Sequence, residues 1–385
     1  LLFIELAVLV GQCLDRQLVL RSFNERTLNE GEGGRMALGD AFVEALSALV
    51  AGGVARGGTR IGDGDTGRMV GWVEAGSGHP GPTVILAAGR NDTAISWAPL
   101  LAALAASTRV VAYDRAGLGA SDPDPGPGPP AVDRQVADLA AVIGQTGAGP
   151  CVVVGHSWGG LLAVGHPGLV CGLVLVDPAH PDLLASLPRP VRWLNRSVAE
   201  HLPSLLLALG LLEPVVRRTA RRTASRFSDD PRVRSLVAEA YLTHARRSQV
   251  QASRDELRGI AASAPLLRQA RAASSLPDVP VVVLSATRGV PPRLRQRWTQ
   301  LQAGVAAAAR TGRGRHVVVA DAGHAIHHDR PDLVAAAVLE VVEEARPARS
   351  DPGNPDLSGG TGEGPALSQR RVRACGPEPH HANHD

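Results

Sequence analysis

Hydrophobic positions between about residues 69 and 346 fall into short, nearly unbroken runs, separated by stretches with helical spacing. Runs at Met69–Glu74, Thr83–Ala88, Thr108–Tyr113, Cys151–Gly155, Gly172–Val176, Val279–Ser285 and His316–Ala320 read as strands. Their continuous apolar character, without alternation of period two, suits a sheet covered on both faces. Between them, Trp97–Ala106, Ala131–Ile143 and Pro331–Glu344 read as helices. Pro331 fits a first helical position, and Leu333, Val334, Ala337, Val338 and Val341 share one face behind it. The alternation predicts an α/β domain: a mostly parallel twisted sheet with helices on both faces.

One block breaks the rhythm. Residues 182–276 show no strand pattern, only helical segments such as Leu205–Leu212 and Val233–Ala245 separated by Pro and charged breaks. This reads as a helical cap inserted into the α/β domain, which then spans 66–181 and 277–346. The block holds sixteen arginines, about twice the number of its acids, and such a charge run reads first as a solvated face. Residues 1–65 form an N-terminal extension, in which Met36–Val50 has the spacing of an amphipathic helix and the Gly-rich stretch 52–67 reads as a linker. The segment 347–385 has no apolar periodicity and is expected to be a disordered tail.

Composition narrows the classes. With 44% hydrophobic and 20% charged residues over 385 positions, the chain has the balance of a soluble globular protein. The net charge is +3 and all 40 basic residues are Arg, but no basic stripe with interleaved aromatics occurs, so no nucleic-acid partner is expected. Cys13, Cys151, Cys171 and Cys375 lie far apart, so neither a disulfide framework nor a zinc motif is indicated, and no metal is expected. His380, His381 and His384 in the tail could scavenge metal without forming a functional site. Leu1–Val10 is apolar but carries Glu5, lacks a basic lead and is too short to span a bilayer. No stable membrane insertion is expected, and the expected location is the cytoplasm.

The chemistry concentrates at 150–160, where Cys151-Val152-Val153-Val154 runs into Gly155-His156-Ser157-Trp158-Gly159-Gly160. A strand driven into Gly-x-Ser-x-Gly offers a serine at a strand-to-helix corner tight enough to need glycines. A serine hydroxyl is a weak nucleophile; it needs a base, an orienter for that base and donors for an oxyanion. His324 lies directly after the last strand, in Ala322-Gly323-His324, at the carboxyl edge where ligands bind in open α/β sheets. His327 and His328 follow in the same loop and read as supporting or solvated. Asp177 ends the strand Gly172–Val176 and points from the same edge as Ser157; an Asp-Pro turn cap is the competing reading of that residue. The loop after the next strand, Ser285-Ala286-Thr287-Arg288-Gly289, holds no acid, and Asp321 is too close in sequence to His324 to approach its far side. The backbone N–H groups of Trp158 and Arg90 are the candidate oxyanion donors, with Gly89 letting the chain turn in.

The order Ser157, Asp177, His324 resembles that of the α/β-hydrolase superfamily, in its serine-nucleophile branch with a helical cap. The resemblance spans about 69–346 and rests on Gly-His-Ser-Trp-Gly-Gly at 155–160, Tyr-Asp-Arg-Ala-Gly-Leu-Gly-Ala-Ser at 113–121, Val-Asp-Pro-Ala-His at 176–180 and Ala-Gly-His at 322–324. It implies an eight-stranded, mostly parallel sheet, a cap over the serine, and a structural role near the site mouth for Asp114, Arg115, Gly117 and Gly119. Three departures stand out. Ala88-Gly89 replaces the His-Gly that many relatives carry before the oxyanion loop. The acid follows the sixth strand instead of the seventh. Only 177 − 157 = 20 residues separate nucleophile and acid, leaving Leu161–Leu169 one helical turn short, a shift of about 5 Å at its end.

The resemblance implies a cofactor-free serine hydrolase acting on a small-molecule ester, amide or related acyl substrate through an acyl-enzyme. Members that open epoxides or cleave carbon–halogen bonds usually carry Asp where Ser157 stands. A perhydrolase, acyltransferase or carbon–carbon hydrolase would use the same three residues. A non-catalytic binding protein on the same fold is the reading from a different class.

Overall fold

A computed structural model describes residues 42–346, apart from 63–66, 147–148, 165–169, 187, 274–275, 277 and 310–311. The expectations for the tail, for Cys13 and Cys375, and for most of the N-terminal extension therefore lie outside the described residues. Eight strands form one sheet: β1 (Ala55–Ile61), β2 (Arg68–Ala75), β3 (Thr83–Ala87), β4 (Val110–Tyr113), β5 (Cys151–His156), β6 (Val170–Val176), β7 (Val281–Ala286) and β8 (Gly314–Val319). Their order is β1-β2-β4-β3-β5-β6-β7-β8. β1 and β2 pair antiparallel, as do β2 and β4, and every other pairing is parallel. The seven sequence-predicted runs all become strands. The eighth strand is a correction: β1 occupies the stretch 52–67 expected to be a linker. Its sequence Ala-Arg-Gly-Gly-Thr-Arg-Ile has no apolar run, and it is an edge strand with mostly exposed or half-exposed residues, so pairing with β2 rather than burial makes it a strand.

The continuous hydrophobicity has its expected cause. Val84 and Leu86 of β3, Val152 and Val154 of β5, and Val174 and Val176 of β6 all enter one core layer. Covering that layer are α1 (42–49), α2 (Ala98–Leu104) and, placed later in the chain, a long helix over Pro331–Ala345. Ile85, Val153, Leu173, Leu175, Val281 and Val283 point the other way, against α3 (Val132–Thr146) and the helix Pro292–Ala307. The central strands β3, β5, β6 and β7 therefore bury both faces, and each fully buried aliphatic side chain contributes about 1.5–3 kcal/mol of transfer free energy.

The helix after the sheet's centre, α4 (Trp158–Ala163), has six residues. Most of the return to β6 lies outside the described residues; where β5 and β6 enter the sheet, Cys151 pairs with Val170 and Val152 with Gly172, leaving Cys171 as an extra residue. Beyond that irregularity the register holds, with Gly155 opposite Leu175 and His156 opposite Val176. The carboxyl ends of β5 and β6 are therefore level where Ser157 and Asp177 emerge. Cys151 is buried, Cys171 half-buried, and neither forms a disulfide.

Between β6 and β7 come five helices: α5 (Pro181–Ser186), α6 (Arg189–Ala208), α7 (Leu212–Phe227), α8 (Pro231–Ala240) and α9 (Arg247–Ala273). Among the described residues of this insertion no strand occurs. The chain continues through α10 (Pro292–Ala307), α11 (Ile326–Asp329) and α12 (Pro331–Ala345). No single helix among the described residues is long and apolar enough to cross a membrane.

Candidate active site

Ser157 sits between β5 and α4 with φ 49° and ψ −111°, a positive-φ conformation that a non-glycine residue rarely adopts. Its N–H donates to the Val176 carbonyl at 3.1 Å, and its own carbonyl accepts from Ala179 N at 2.9 Å. The strained corner is therefore stitched to the end of β6. The flanking glycines are a matter of space. A Cβ on Gly155 would lie 2.5 Å from Gly160 Cα, and one on Gly159 would lie 2.1 Å from the Ala87 carbonyl oxygen. Conformational strain held by surrounding structure clusters at functional sites.

Asp177 follows β6 directly, also at positive φ (44°), and is 1% exposed. Its Oδ1 accepts three hydrogen bonds: from Ala286 N at 2.9 Å, Trp298 Nε1 at 2.8 Å and Gln302 Nε2 at 3.0 Å. Its Oδ2 accepts from His324 Nδ1 at 2.6 Å. The turn-cap reading of Asp177 fails against this arrangement, because the carboxylate faces the histidine loop and not its own backbone. Since the carboxylate can only accept, Nδ1 is the donor of this bond, and whenever the ring is uncharged its lone pair lies on Nε2. Among the described residues no hydrogen bond joins His324 to Ser157; such contacts commonly tighten only once substrate is bound.

His324 itself is held from several sides. The Gly323 N–H donates to Asp329 Oδ2 at 2.8 Å, and Arg288 Nη2 donates to the same oxygen at 2.5 Å. Arg288 Nη1 also donates to the Asp321 carbonyl at 2.6 Å. The acid-free loop after β7 thus supplies a guanidinium that fixes the histidine loop. Asp321 turns its side chain to Arg330 at 2.6 Å, away from His324.

The opposite wall comes from the loop after β3. Buried Arg115 donates to the carbonyls of Ala88 at 2.5 Å and Gly89 at 2.6 Å, and its Nε pairs with Glu256 Oε1 at 2.6 Å. Glu256, from α9, also accepts from Asn91 N at 2.7 Å. These bonds fix the backbone on either side of Arg90, whose own side chain reaches Ser253 Oγ at 3.4 Å. Trp158 begins α4, where backbone N–H groups have no intrahelical acceptor, and its indole donates to Gln135 Oε1 at 2.8 Å. Asp114 is structural as expected: buried, it accepts from Ala94 N at 2.8 Å and Ala120 N at 2.9 Å, and burial pushes its carboxyl up to about 6 despite those two donors. Gly119 has φ 52° and passes so close that a Cβ would sit 2.1 Å from Asp114 Oδ2.

Of the two readings given to His327 and His328, supporting or solvated, burial leaves the first. His327 is completely buried and His328 half-buried, so neither is solvated. His328 Nε2 meets the Ser96 carbonyl at 2.9 Å. His156, adjacent to Ser157, is 6% exposed, and its Nε2 meets the His324 carbonyl at 3.0 Å. Burial, reinforced by neighbouring imidazoles, pushes His156 and His327 well below the ordinary histidine range, so both are neutral. Sequence reading gave no role to Glu256, Trp298, Gln302, Arg288 or His156; Trp298 and Gln302 share one face of α10, but the residues they and the others meet lie on distant elements, which no local spacing records.

The fold and this edge of the sheet define an α/β scaffold with a serine, an aspartate and a histidine at the strands' carboxyl ends, and comparison with known proteins gives its family. The alpha/beta hydrolase family profile matches residues 84–337, and the chain belongs to that family. A putative carbamate hydrolase RutD of Azorhizobium caulinodans is 36% identical over 204 residues, covering 43% of this chain and 74% of that protein. Lipase LipV of Mycobacterium tuberculosis is 33% identical over 137 residues, covering 34% of this chain and 47% of that one. The mouse protein epoxide hydrolase 4 is 31% identical over 123 residues, covering 31% and 34%. Apart from the Azorhizobium protein, the chain spans about a third to a half of the length of these curated relatives. Among solved structures, the Cif epoxide hydrolase from Acinetobacter nosocomialis superposes with a TM-score of 0.60 at 17% identity, over 83% of this chain and 99% of that one, a likeness of fold.

Proposed function

We propose that the chain is a serine hydrolase that cleaves an ester, amide or related acyl substrate through an acyl-enzyme. The observation that carries this reading is the 2.6 Å bond from His324 Nδ1 to Asp177 Oδ2, made beside a serine held at φ 49°. In this reading Ser157 Oγ attacks the carbonyl carbon while His324 Nε2 takes its proton. Asp177 keeps the ring oriented and stabilises the imidazolium. The N–H groups of Trp158 and Arg90 receive the oxyanion, a donor each worth about 3 kcal/mol in the transition state. The imidazolium then protonates the leaving alcohol or amine, and a water deprotonated by the same nitrogen hydrolyses the acyl-serine.

The relatives named as epoxide hydrolases, carbamate hydrolase and lipase span several reactions. A hydroxyl at position 157 supports acyl transfer over the carboxylate attack by which many family members open epoxides. A fluorophosphonate probe tests the reading directly: it should label the wild-type chain and spare Ser157→Ala. Absence of labelling on folded protein would favour a non-catalytic binding role on this fold. A panel of esters graded in acyl length then defines the substrate class.

A further inference from the structure

Beneath the proposed oxyanion loop lies a group of polar side chains that the acyl-transfer reading leaves without a task. His156 and His327 are buried at 6% and 0% exposure. His156 Nδ1 and both ring nitrogens of His327 have no hydrogen-bond partner. Every neutral imidazole carries one N–H and one lone pair, and buried polar atoms in folded proteins are almost always satisfied. His327 is packed instead against Trp97, with ring centroids 4.4 Å apart, and against His156 at 4.5 Å. The half-buried carboxylate of Asp92 completes the group: one ligand atom from each of Asp92, His156 and His327 lies within 4.8 Å of the others.

We propose that Asp92, His156 and His327 form a binding site for a first-row divalent transition-metal ion of the zinc or cobalt type. Two imidazoles and one carboxylate are a borderline donor set of the kind that binds such ions, with room for a further ligand. The orientation of His156 agrees with a ligating role. Its Nε2 meets the His324 carbonyl at 3.0 Å, so the proton sits on Nε2 and Nδ1, buried without a hydrogen-bond partner, keeps a lone pair free for a cation. Donation of the second ring N–H to a backbone carbonyl is the habitual support of a metal-bound histidine. Asp92 is oriented too, with Oδ1 accepting from Thr93 N at 3.0 Å and standing 4.0 Å from His244 Nε2. A tetrahedral zinc places its ligand atoms about 3.4 Å apart, so small side-chain turns close the site.

The ion would tie together three segments. Asp92 belongs to the loop after β3, His156 immediately precedes Ser157, and His327 lies three residues beyond His324. Its role is positioning: one bound cation pins the oxyanion loop, the serine corner and the histidine loop to each other. This is independent of whether Ser157 is acylated.

The test uses the full chain carrying H380A, H381A and H384A, which removes the tail histidines as competing ligands. After chelator treatment and exhaustive dialysis, Co2+ is titrated and followed by ligand-field absorption, and Zn2+ by calorimetry and thermal unfolding. One equivalent should bind, with the absorption of a four- or five-coordinate cobalt site and a raised unfolding temperature. Asp92→Asn and His327→Gln should each weaken binding more than about 100-fold, beyond the loss typical of removing a supporting partner. His327→Gln alters a fully buried residue; if it does not fold, Asp92→Asn at the half-buried position decides alone. No stoichiometric binding, or binding that survives Asp92→Asn unchanged, overturns the proposal.

Discussion

Asp177 divides its two oxygens between two tasks: Oδ1 accepts from Ala286 N, Trp298 Nε1 and Gln302 Nε2, while Oδ2 accepts from His324 Nδ1 at 2.6 Å. The first set locks the carboxylate, and the second lets it hold an imidazole. Asp177→Asn keeps an acceptor for the three donors but can turn an NH2 group toward Nδ1, forcing the wrong tautomer. Ester turnover should fall by about 10⁴ with an unchanged unfolding midpoint. Asp177→Ala should also destabilise the fold, by about 3 kcal/mol or more, because three buried donors lose their acceptor. A rate for Asp177→Asn within tenfold of wild type would move the acid's role elsewhere.

Arg115 and Glu256 join the core to the helical insertion, their side chains 3% and 5% exposed and 2.6 Å apart. Removing one member of a buried pair leaves the other charge uncompensated, at a cost of about 3–5 kcal/mol. Glu256→Ala should lose that much in denaturant unfolding. Because Arg115 also holds the Ala88 and Gly89 carbonyls, kcat should fall more than KM rises. A loss below about 1 kcal/mol would show that the pair does not hold the loop.

Two glycines test the packing argument in opposite directions. Gly159→Ala places a methyl 2.1 Å from the Ala87 carbonyl oxygen and 2.5 Å from that of Ala88. Backbone must shift, so destabilisation of about 3 kcal/mol or more and loss of probe labelling are expected. Gly144, inside α3, has nothing within 4 Å of the corresponding position. Gly144→Ala should raise stability by about 0.5–1 kcal/mol. Equal effects of the two substitutions, read from melting curves, would refute the argument.

Asp138 gives a pH-dependent signature. Burial pushes its carboxyl up to about 6 against the lowering influence of Arg68, with which it pairs. The folded state therefore holds this proton more tightly than the unfolded chain does. Its favourable contribution is complete below about pH 4 and is lost as pH rises through about 6, a change of about 3 kcal/mol. The stability difference between wild type and Asp138→Asn should thus move against wild type by that order from pH 4 to 6.5. Taking the difference removes groups common to both proteins. Movement in the other direction in urea titrations would show that the Arg68 attraction outweighs burial.

The sequence by itself determined the elements whose signal is local. The strands β3 to β7 were legible because burial of both faces leaves an unbroken apolar run, while β2 and the edge strand β8 kept apolar runs despite exposed Met69 and Val318. The serine corner was legible because steric exclusion writes glycines at fixed spacing around Ser157. The glycine-preceded His324 and Asp177 at a strand end could be placed on one edge, since parallel strands bring their carboxyl ends to the same side. Tertiary structure alone decided the rest. β1 became a strand by pairing along the sheet edge, which leaves no hydrophobic trace in Arg56-Gly57-Gly58-Thr59. However short the connection after Ser157, Gly155 lies opposite Leu175 and His156 opposite Val176, so the ends of β5 and β6 are level. Glu256 met Arg115, Trp298 and Gln302 met Asp177, and His327 met His156 and Asp92 across more than a hundred residues in each case. Such meetings depend on how layers stack. No periodicity along a chain records them.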